Sequence, residues 1–372
     1  MHVLVTTDTL TGVWTYTREL VTGLIGRGVR VTLVSFGEIP LPQHTSWMEN
    51  LPQLDYRPTA FRLDWMQQAE QDLRDSSSYL TSVVHEVQPD LVHSNHMCYG
   101  NLAVRIPRIV VAHQDLISWW KAVHGREPDN GRWVNWYREI VRRGLSQASA
   151  VVAPTQWMLD EVCDCYTQPG YGKVIYPGRN PLLFNPYVNK EDSVLAVGRL
   201  VDAGKQVSLL TQQTHRLPVC IVGTEAPAQS LQIPIRADIK VATETLSVAL
   251  KGAQTDSQMR ALYSRASMFA ATSRYEPFGL AAVEAALSRC AILANDIPSL
   301  REVWGDAAFY FRTNDAASLA EGIQRLSVQR DLCRGYANRA YHRARERFTA
   351  KSMLDSYQDL YQELVGAEQA VA

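Results

Sequence analysis

Short apolar runs alternate with longer amphipathic stretches almost from one end of the chain to the other. In the first half, Val3–Val5, Val29–Phe36, Asp90–His93, Arg108–Ala112 and Ala150–Ala153 read as strands. Their runs lack strict polar alternation, which suits strands covered on both faces. Between them, Tyr16–Arg27, Trp65–Val87, Val134–Ser146 and Gln156–Cys165 carry a helical period. After Tyr176-Pro177-Gly178 the pattern restarts with Ser193–Val197, Val219–Val222, Val248–Lys251, Met268–Ala271, Ala291–Ala294 and Ala308–Phe311. Strands alternating with helices predict parallel sheets wrapped by helices. Pro181–Asp192, with two prolines and a polar end, reads as the linker.

Two consecutive doubly wound α/β domains are therefore expected, at residues 1–180 and 181–351, and by its pattern the final Ser352–Val365 helix could pack on either. Ligands of such folds sit beyond the carboxyl ends of the strands, and a cleft between the domains is the expected site. Gly37–Phe61, with four prolines, reads as an extended connection, and Thr224–Val241 has the same character. Arg334–Arg347, with five arginines against one Glu, reads as a helix with a solvated face.

Composition narrows the class without choosing a function. At 372 residues the chain exceeds one typical core. Its 46% apolar and 20% charged residues exclude disordered and fibrous classes. A net charge of −1 offers no global pull toward nucleic acid. Six scattered cysteines show neither a disulfide framework nor zinc-ligand spacing. MHVLVTTDTL reads as a strand rather than a leader, and no apolar run approaches the roughly 20 residues that span a bilayer. A soluble, cytoplasmic protein is expected.

The chemistry concentrates in Ser273–Glu284, SRYEPFGLAAVE, where Glu276 and Glu284 flank Pro277-Phe278-Gly279. Proline and glycine break the backbone before an apolar helical run, so one acid precedes the turn and one lies in the early helix. The N–H groups of Phe278, Gly279 and Leu280 would face an anion such as phosphate. Taken alone the pair equally suits an ordinary helix start, since acids there complement the macrodipole. Upstream, Val194–Val197 ends in Gly198-Arg199, with Lys205 six residues on. Glycine admits close backbone approach and the cations can neutralise a diphosphate. No Walker sequence and no Asp-x-Asp pair is present, so no metal ligands are expected and the cations would stand in for a metal.

In the first half Gly12 follows the first strand and precedes a helix, without a dinucleotide fingerprint. His113 ends an apolar strand and is the better substrate contact, whereas His93 and His96 read as satisfied structural histidines. Ile117–Arg143 holds Trp119, Trp120, Trp133 and Trp136 among six cations. Core packing competes there with contact to an acceptor or to lipid headgroups.

Taken together these stretches resemble family 4 of the retaining glycosyltransferases, which have the GT-B fold. The likeness runs through TGVWTYTREL, PDLVHSNH, VVAHQDL, KVIYPGRN, VLAVGRLVDAGK, SRYEPFGLAAVEA and NDIPSLREVWGDAAFYF, in that order. The resemblance implies that Glu284 holds the ribose hydroxyls of a nucleoside-diphosphate sugar. Arg199 and Lys205 would grip its diphosphate, with the Phe278–Leu280 amides, Gly198 and Gly12. Glu276 and His113 would meet the donor sugar, and Trp119, Trp120 and Lys121 the acceptor. It also implies that the C-terminal helix, within 352–372, packs back on the first domain. No cofactor beyond the co-substrate and no nucleic-acid partner are expected, nor more than a monomer or homodimer, with peripheral contact at the inner membrane surface left open. Two departures stand out: Thr11-Gly12 where the family often has two glycines, and Arg289 and Ala291 for its usual Gly and Pro. A hexosyl transfer with retained configuration is the expectation, and a nucleotide-sugar 2-epimerase or a non-catalytic sugar binder the alternatives.

Overall fold

β1 (His2–Asp8) is buried at all seven positions, as a strand between two helical layers must be. In the computed structural model, which describes residues 1–223 and 248–371, it is an interior strand of a seven-stranded parallel sheet. The other strands are β2 (Arg30–Phe36), β3 (Leu54–Pro58), β4 (Leu91–Ser94), β5 (Arg108–Val111), β6 (Ala150–Ala153) and β7 (Gly172–Val174). Their order is β3-β2-β1-β4-β5-β6-β7, every pairing parallel. The covering helices are α1 (Val13–Gly26), the short α2 (Pro42–Thr45), α3 (Glu70–Val87), α4 (Leu116–His124), α5 (Arg132–Gln147) and α6 (Gln156–Cys165).

A second all-parallel sheet follows: β8 (Glu191–Val197), β9 (Val219–Val222), β10 (Val248–Lys251), β11 (Ala266–Ala271), β12 (Ala291–Asn295) and β13 (Phe309–Phe311). Its order is β10-β9-β8-β11-β12-β13. Helices α7 (Asp256–Arg265), α8 (Leu280–Leu287), α9 (Pro298–Trp304), α10 (Ala316–Val328) and α11 (Arg330–Arg347) belong with it, and α12 (Ala350–Val371) ends the chain. The chain divides into unit 1, Met1–Lys121, Arg126–Gly178 and Ala350–Ala372, and unit 2, Ala122–Gly125 and Arg179–Thr349.

In both sheets the strand order reverses beside the first strand, between β1 and β4 and between β8 and β11. The loops leaving those neighbouring strands diverge, which opens a crevice at their carboxyl ends. In unit 2 this brings the loop after Val197 beside the loop after Ala271. In unit 1 it brings the loop after Asp8 beside the His93–His96 segment.

Helix α12 is part of unit 1. Tyr16 donates its hydroxyl hydrogen to the Tyr357 hydroxyl at 2.7 Å, and the Tyr361 hydroxyl meets His93 Nδ1 at 2.6 Å. Gly23 of α1 lies flush against Leu354, where an added Cβ would come within 2.2 Å of a leucine methyl. Unit 2 has its own core around Val194, Leu210, Met268, Leu293 and Phe311.

Three expectations are corrected. Gly37–Phe61 is not merely an extended connection, since it contains α2 and strand β3, which pairs with β2 from Val31↔Leu54 to Ser35↔Pro58. Asp55 and Arg57 obscured that strand. They tolerate water because β3 is an edge, where Pro58 is also allowed. The arginines of α11 are not simply solvated. Arg343 donates to the carbonyls of Glu302 and Val303, and Arg339 to that of Asp306, complementing the end of α9. Third, Pro181–Asp192 lies wholly inside unit 2, whose boundary falls at Gly178–Arg179. The Thr224–Val241 segment lies outside the described residues.

Candidate active site

The loop after β8 is built by one carboxylate. Asp202 Oδ1 accepts from the backbone N–H groups of Gly204 and Lys205 at 2.9 and 3.2 Å, and Oδ2 accepts from Arg199 Nη2 at 3.0 Å. This Asx turn swings Lys205 back across the loop, where its methylenes pack on Gly198: an added Cβ there would lie 3.0 Å from Lys205 Cβ. The loop is pinned to the one after β11, because Arg274 N donates to Gly204 O at 2.9 Å and Thr272 Oγ1 to Lys205 O at 2.9 Å.

That pinning brings Lys205 Nζ to 2.9 and 2.7 Å from the two oxygens of Glu276, and Ser273 Oγ donates to Glu276 Oε2 at 2.8 Å. Burial alone would lower the Lys205 pKa, but the Glu276 carboxylate outweighs it and raises it above the ordinary value. Lys205 is therefore a permanent cation beside a half-enclosed acid.

Gly279 precedes α8 with φ at +92°, a conformation that strains any side chain. The turn it makes starts α8, where the amides of Leu280 and Ala281 lack intrahelical acceptors by helix geometry, while those of Ala282 and Val283 donate to Gly279 O. Phe278 anchors the turn by burying its ring edge-on against Phe348, centroids 5.2 Å apart. Along α8 the positions Leu280, Ala281 and Glu284 are partly exposed, while Ala282, Val283 and Ala285 are buried. Glu284 thus shares a face with the open end of its helix. Its Oε1 lies 2.8 Å from Arg179 Nε, and the Tyr263 hydroxyl hydrogen-bonds to it as well.

Unit 1 holds a polar cluster at the ends of β1, β4 and β5. His113 Nε2 is 2.8 Å from Asn95 Oδ1, while Asn95 Nδ2 donates to Thr6 O and Thr17 Oγ1 at 2.7 and 3.1 Å. With its amide hydrogens so used, Asn95 presents oxygen to His113, whose Nε2 carries the proton and whose Nδ1 is the acceptor. The Tyr16 ring closes over His113 at 4.5 Å. Burial first, then repulsion from His93 and His96, lowers the His113 pKa to about 3, so the ring is neutral. Gly12 begins α1 at φ −64°, and a Cβ there would meet nothing within 4 Å, so open space rather than strain characterises it.

His93 and His96 are only half satisfied. His96 Nδ1 bonds Thr6 Oγ1 at 3.0 Å and His93 Nδ1 meets Tyr361, yet both Nε2 atoms are buried without a hydrogen-bond partner among the described residues. Among those residues no three His, Cys, Asp or Glu side chains gather as a metal site would need. Trp133 and Trp136 pack on the core, whereas Trp119 and Trp120 are half-buried with rings 6.2 Å apart. Lys121 pairs with Glu161 at 3.3 Å. No described helix is long and apolar enough to cross a membrane.

Unit 2 therefore joins Arg199, Lys205 and Glu276 through Asp202 and Ser273, and unit 1 joins His113 to α1 through Asn95 and Tyr16. Sequence reasoning passed over Asp202, Ser273, Asn95 and Arg179. Asp202, three residues before Lys205, carried a readable turn signal; the other three are recognisable only by what they touch.

Comparison with known proteins bears on this geometry. The family model Glycosyltransferase Family 4 matches residues 10–181, and Glycosyl transferases group 1 matches residues 184–343. The chain is 25% identical over 333 residues to alpha-maltose-1-phosphate synthase of Mycolicibacterium smegmatis, covering 77% of this chain and 82% of that one. The same enzyme of Mycobacterium tuberculosis is 24% identical over 313 residues, covering 74% and 79%. Sucrose-phosphate synthase from Thermosynechococcus elongatus superposes over 99% of this chain and 100% of its own, with TM-score 0.78 and 16% identity. Anabaena HepE in complex with UDP-glucose covers 98% and 100%, with TM-score 0.73 and 16% identity.

Proposed function

The chain belongs to glycosyltransferase family 4 and has the GT-B fold, and we propose that it moves a hexose-type sugar from a nucleoside diphosphate to an acceptor hydroxyl with the anomeric configuration retained and without a metal. The observation that carries this reading is the Lys205–Glu276 pair, set in unit 2 between the Arg199 loop and the start of α8.

Cleavage of the anomeric C–O bond builds negative charge on the leaving diphosphate. Arg199, Lys205 and the amides of Phe278, Gly279 and Leu280 are the groups suited to meet it, which is electrostatic stabilisation of the transition state. Glu276 faces the donor sugar, Glu284 the ribose, and neutral His113 accepts a sugar hydroxyl at Nδ1. In a front-face course the acceptor oxygen bonds to the anomeric carbon on the side the diphosphate leaves, and its proton passes to a departing phosphate oxygen. No side-chain base is then required. Trp119, Trp120 and Lys121 are proposed to contact the acceptor. The names of the relatives, a maltose-1-phosphate synthase and a protein bound to UDP-glucose, support a hexosyl donor and a phosphorylated sugar among the first acceptors to try.

The test is incubation with UDP-, GDP- and ADP-glucose, with and without glucose 1-phosphate, followed by NMR of the anomeric proton and repeated with a chelator. The reading requires a new α-linked product that survives chelation. An inverted product or a chelator-silenced reaction would refute the mechanism. An epimerised donor would indicate an isomerase, and silence with every donor a sugar-binding protein.

A further inference from the structure

Arg179 is a charged side chain that is 4% exposed, on the first residue of unit 2. Its backbone is fixed, since its N–H donates to Phe348 O at 3.0 Å and it bridges to Thr349. Its guanidinium has Phe184 at 5.7 Å on one side and Glu284 Oε1 at 2.8 Å from Nε. Burying a guanidinium costs several kcal/mol unless an anion compensates it. The segment could satisfy its backbone and bury its apolar neighbours with a leucine here, so the charge calls for a reason. That reason is Glu284.

We propose that Arg179 is a positioning residue, which holds Glu284 ionised and oriented as an acceptor for the vicinal ribose hydroxyls and thereby sets discrimination between ribo- and 2′-deoxyribonucleotides. This rests on the ribose role of Glu284 given above. A diol donates two hydrogens in a fixed relative direction, so it needs an acceptor that is charged and does not rotate. A carboxylate on a helix surface turns freely about its last torsion. Arg179 and the Tyr263 hydroxyl hold the Glu284 carboxylate from within the protein, and its 15% exposure leaves it reachable from the face it shares with Leu280 and Ala281. A carboxylate can accept about four hydrogen bonds, so this anchoring is compatible with accepting a diol. The rigid fork of arginine fixes direction as well as charge, which the point charge of lysine cannot do.

The experiment compares Kd for UDP, GDP or ADP, whichever binds, with Kd for its 2′-deoxy counterpart, by calorimetry on the full chain. The parent is expected to prefer the ribonucleotide about tenfold, the share of one hydrogen bond to a charged group. Glu284→Gln and Arg179→Met should bring the ratio near one, and Arg179→Lys should leave it intermediate. General loosening of the site weakens both ligands alike and does not move the ratio. Arg179→Lys keeps the charge and so decides the matter if Arg179→Met does not fold. An unchanged ratio in the folded Arg179 variants, with a collapsed one in Glu284→Gln, overturns the role of Arg179 alone. A parent that does not discriminate, or a Glu284→Gln variant that still does, overturns the ribose assignment and the inference with it.

Discussion

Lys205 caps both oxygens of Glu276, at 2.9 and 2.7 Å, from a loop 71 residues away in sequence. The two opposite charges, which we propose face a donor's diphosphate and sugar, therefore pair with each other in this structure. Lys205 is 39% exposed and Glu276 15%, so solvent screens the pair and its coupling is modest. Urea unfolding of Lys205→Met, Glu276→Gln and the double variant should give a coupling energy of about 1 kcal/mol. Strict additivity would mean that the contact is not formed in solution.

The two acids should separate by ligand. Glu284→Ala is expected to weaken binding of the free nucleoside diphosphate about tenfold, the loss of one hydrogen bond to a charged group. Glu276→Ala should leave that affinity nearly unchanged and lower turnover. Calorimetry with the free nucleotide beside steady-state kinetics checks both, and equal loss of nucleotide binding in the two variants would contradict the assignment.

The buried histidines make unit 1 acid-sensitive in a way that can be isolated. Burial lowers the His93 pKa to about 3 against its ordinary 6.5. Between those values the unfolded chain holds a proton that the folded one does not, so this contribution destabilises the fold as pH falls below 6.5. At pH 5 the penalty is about 2 kcal/mol. Asp64, raised by burial to about 6, acts in the opposite sense, so the measurement is a difference. The stability deficit of His93→Gln at pH 7 should shrink by about 2 kcal/mol at pH 5, as read by urea unfolding at both values. A pH-independent deficit would show that His93 titrates in the fold as it does in the unfolded chain.

Gly144→Ala should be severe despite its small size. A Cβ at Gly144 in α5 would come within 1.9 Å of Met97 O, and one at Gly100 within 2.1 Å of Gly144 O. Both obstacles are backbone, so neither can rotate away, and overpacking of this kind costs about 3 kcal/mol. Gly131→Ala, with nothing within 4 Å, is the control. Thermal melting should show a large fall for the first and a small one for the second.

Most of the readable strands have two-sided burial. β1, β2, β4, β5, β6, β8, β9, β11 and β12 announce themselves because apolar runs are dictated by helices on both faces, and the edge strands β10 and β13 were legible as well, since their short runs stay largely apolar. β3 and β7 did not, since an edge strand such as β3 carries Asp55 and Arg57, and β7 is three residues long with Gly172 in it. Within the site, Glu276, Glu284, Arg199 and Lys205 were legible because charges at the ends of apolar strands and beside a Pro-Phe-Gly turn break the local pattern. Arg179 and Asn95 break no pattern, and their significance lies entirely in their partners.

The sequence by itself determined the alternation of strand and helix, the restart after Gly178, and which residue types stand at the strand ends. Those follow from local periodicity and backbone conformation, which a short window of chain contains. Only the tertiary structure decided which of those ends meet. The reversal of strand order beside β8 sets the Lys205 loop against Glu276, and the same reversal beside β1 sets Asn95 against Thr6, while the neighbouring β5 brings His113 to Asn95. The first pair spans 71 residues and the second 89. The physical reason is that partner choice depends on how the sheet is wound, and the winding minimises exposed apolar surface over a whole unit rather than over any segment of it.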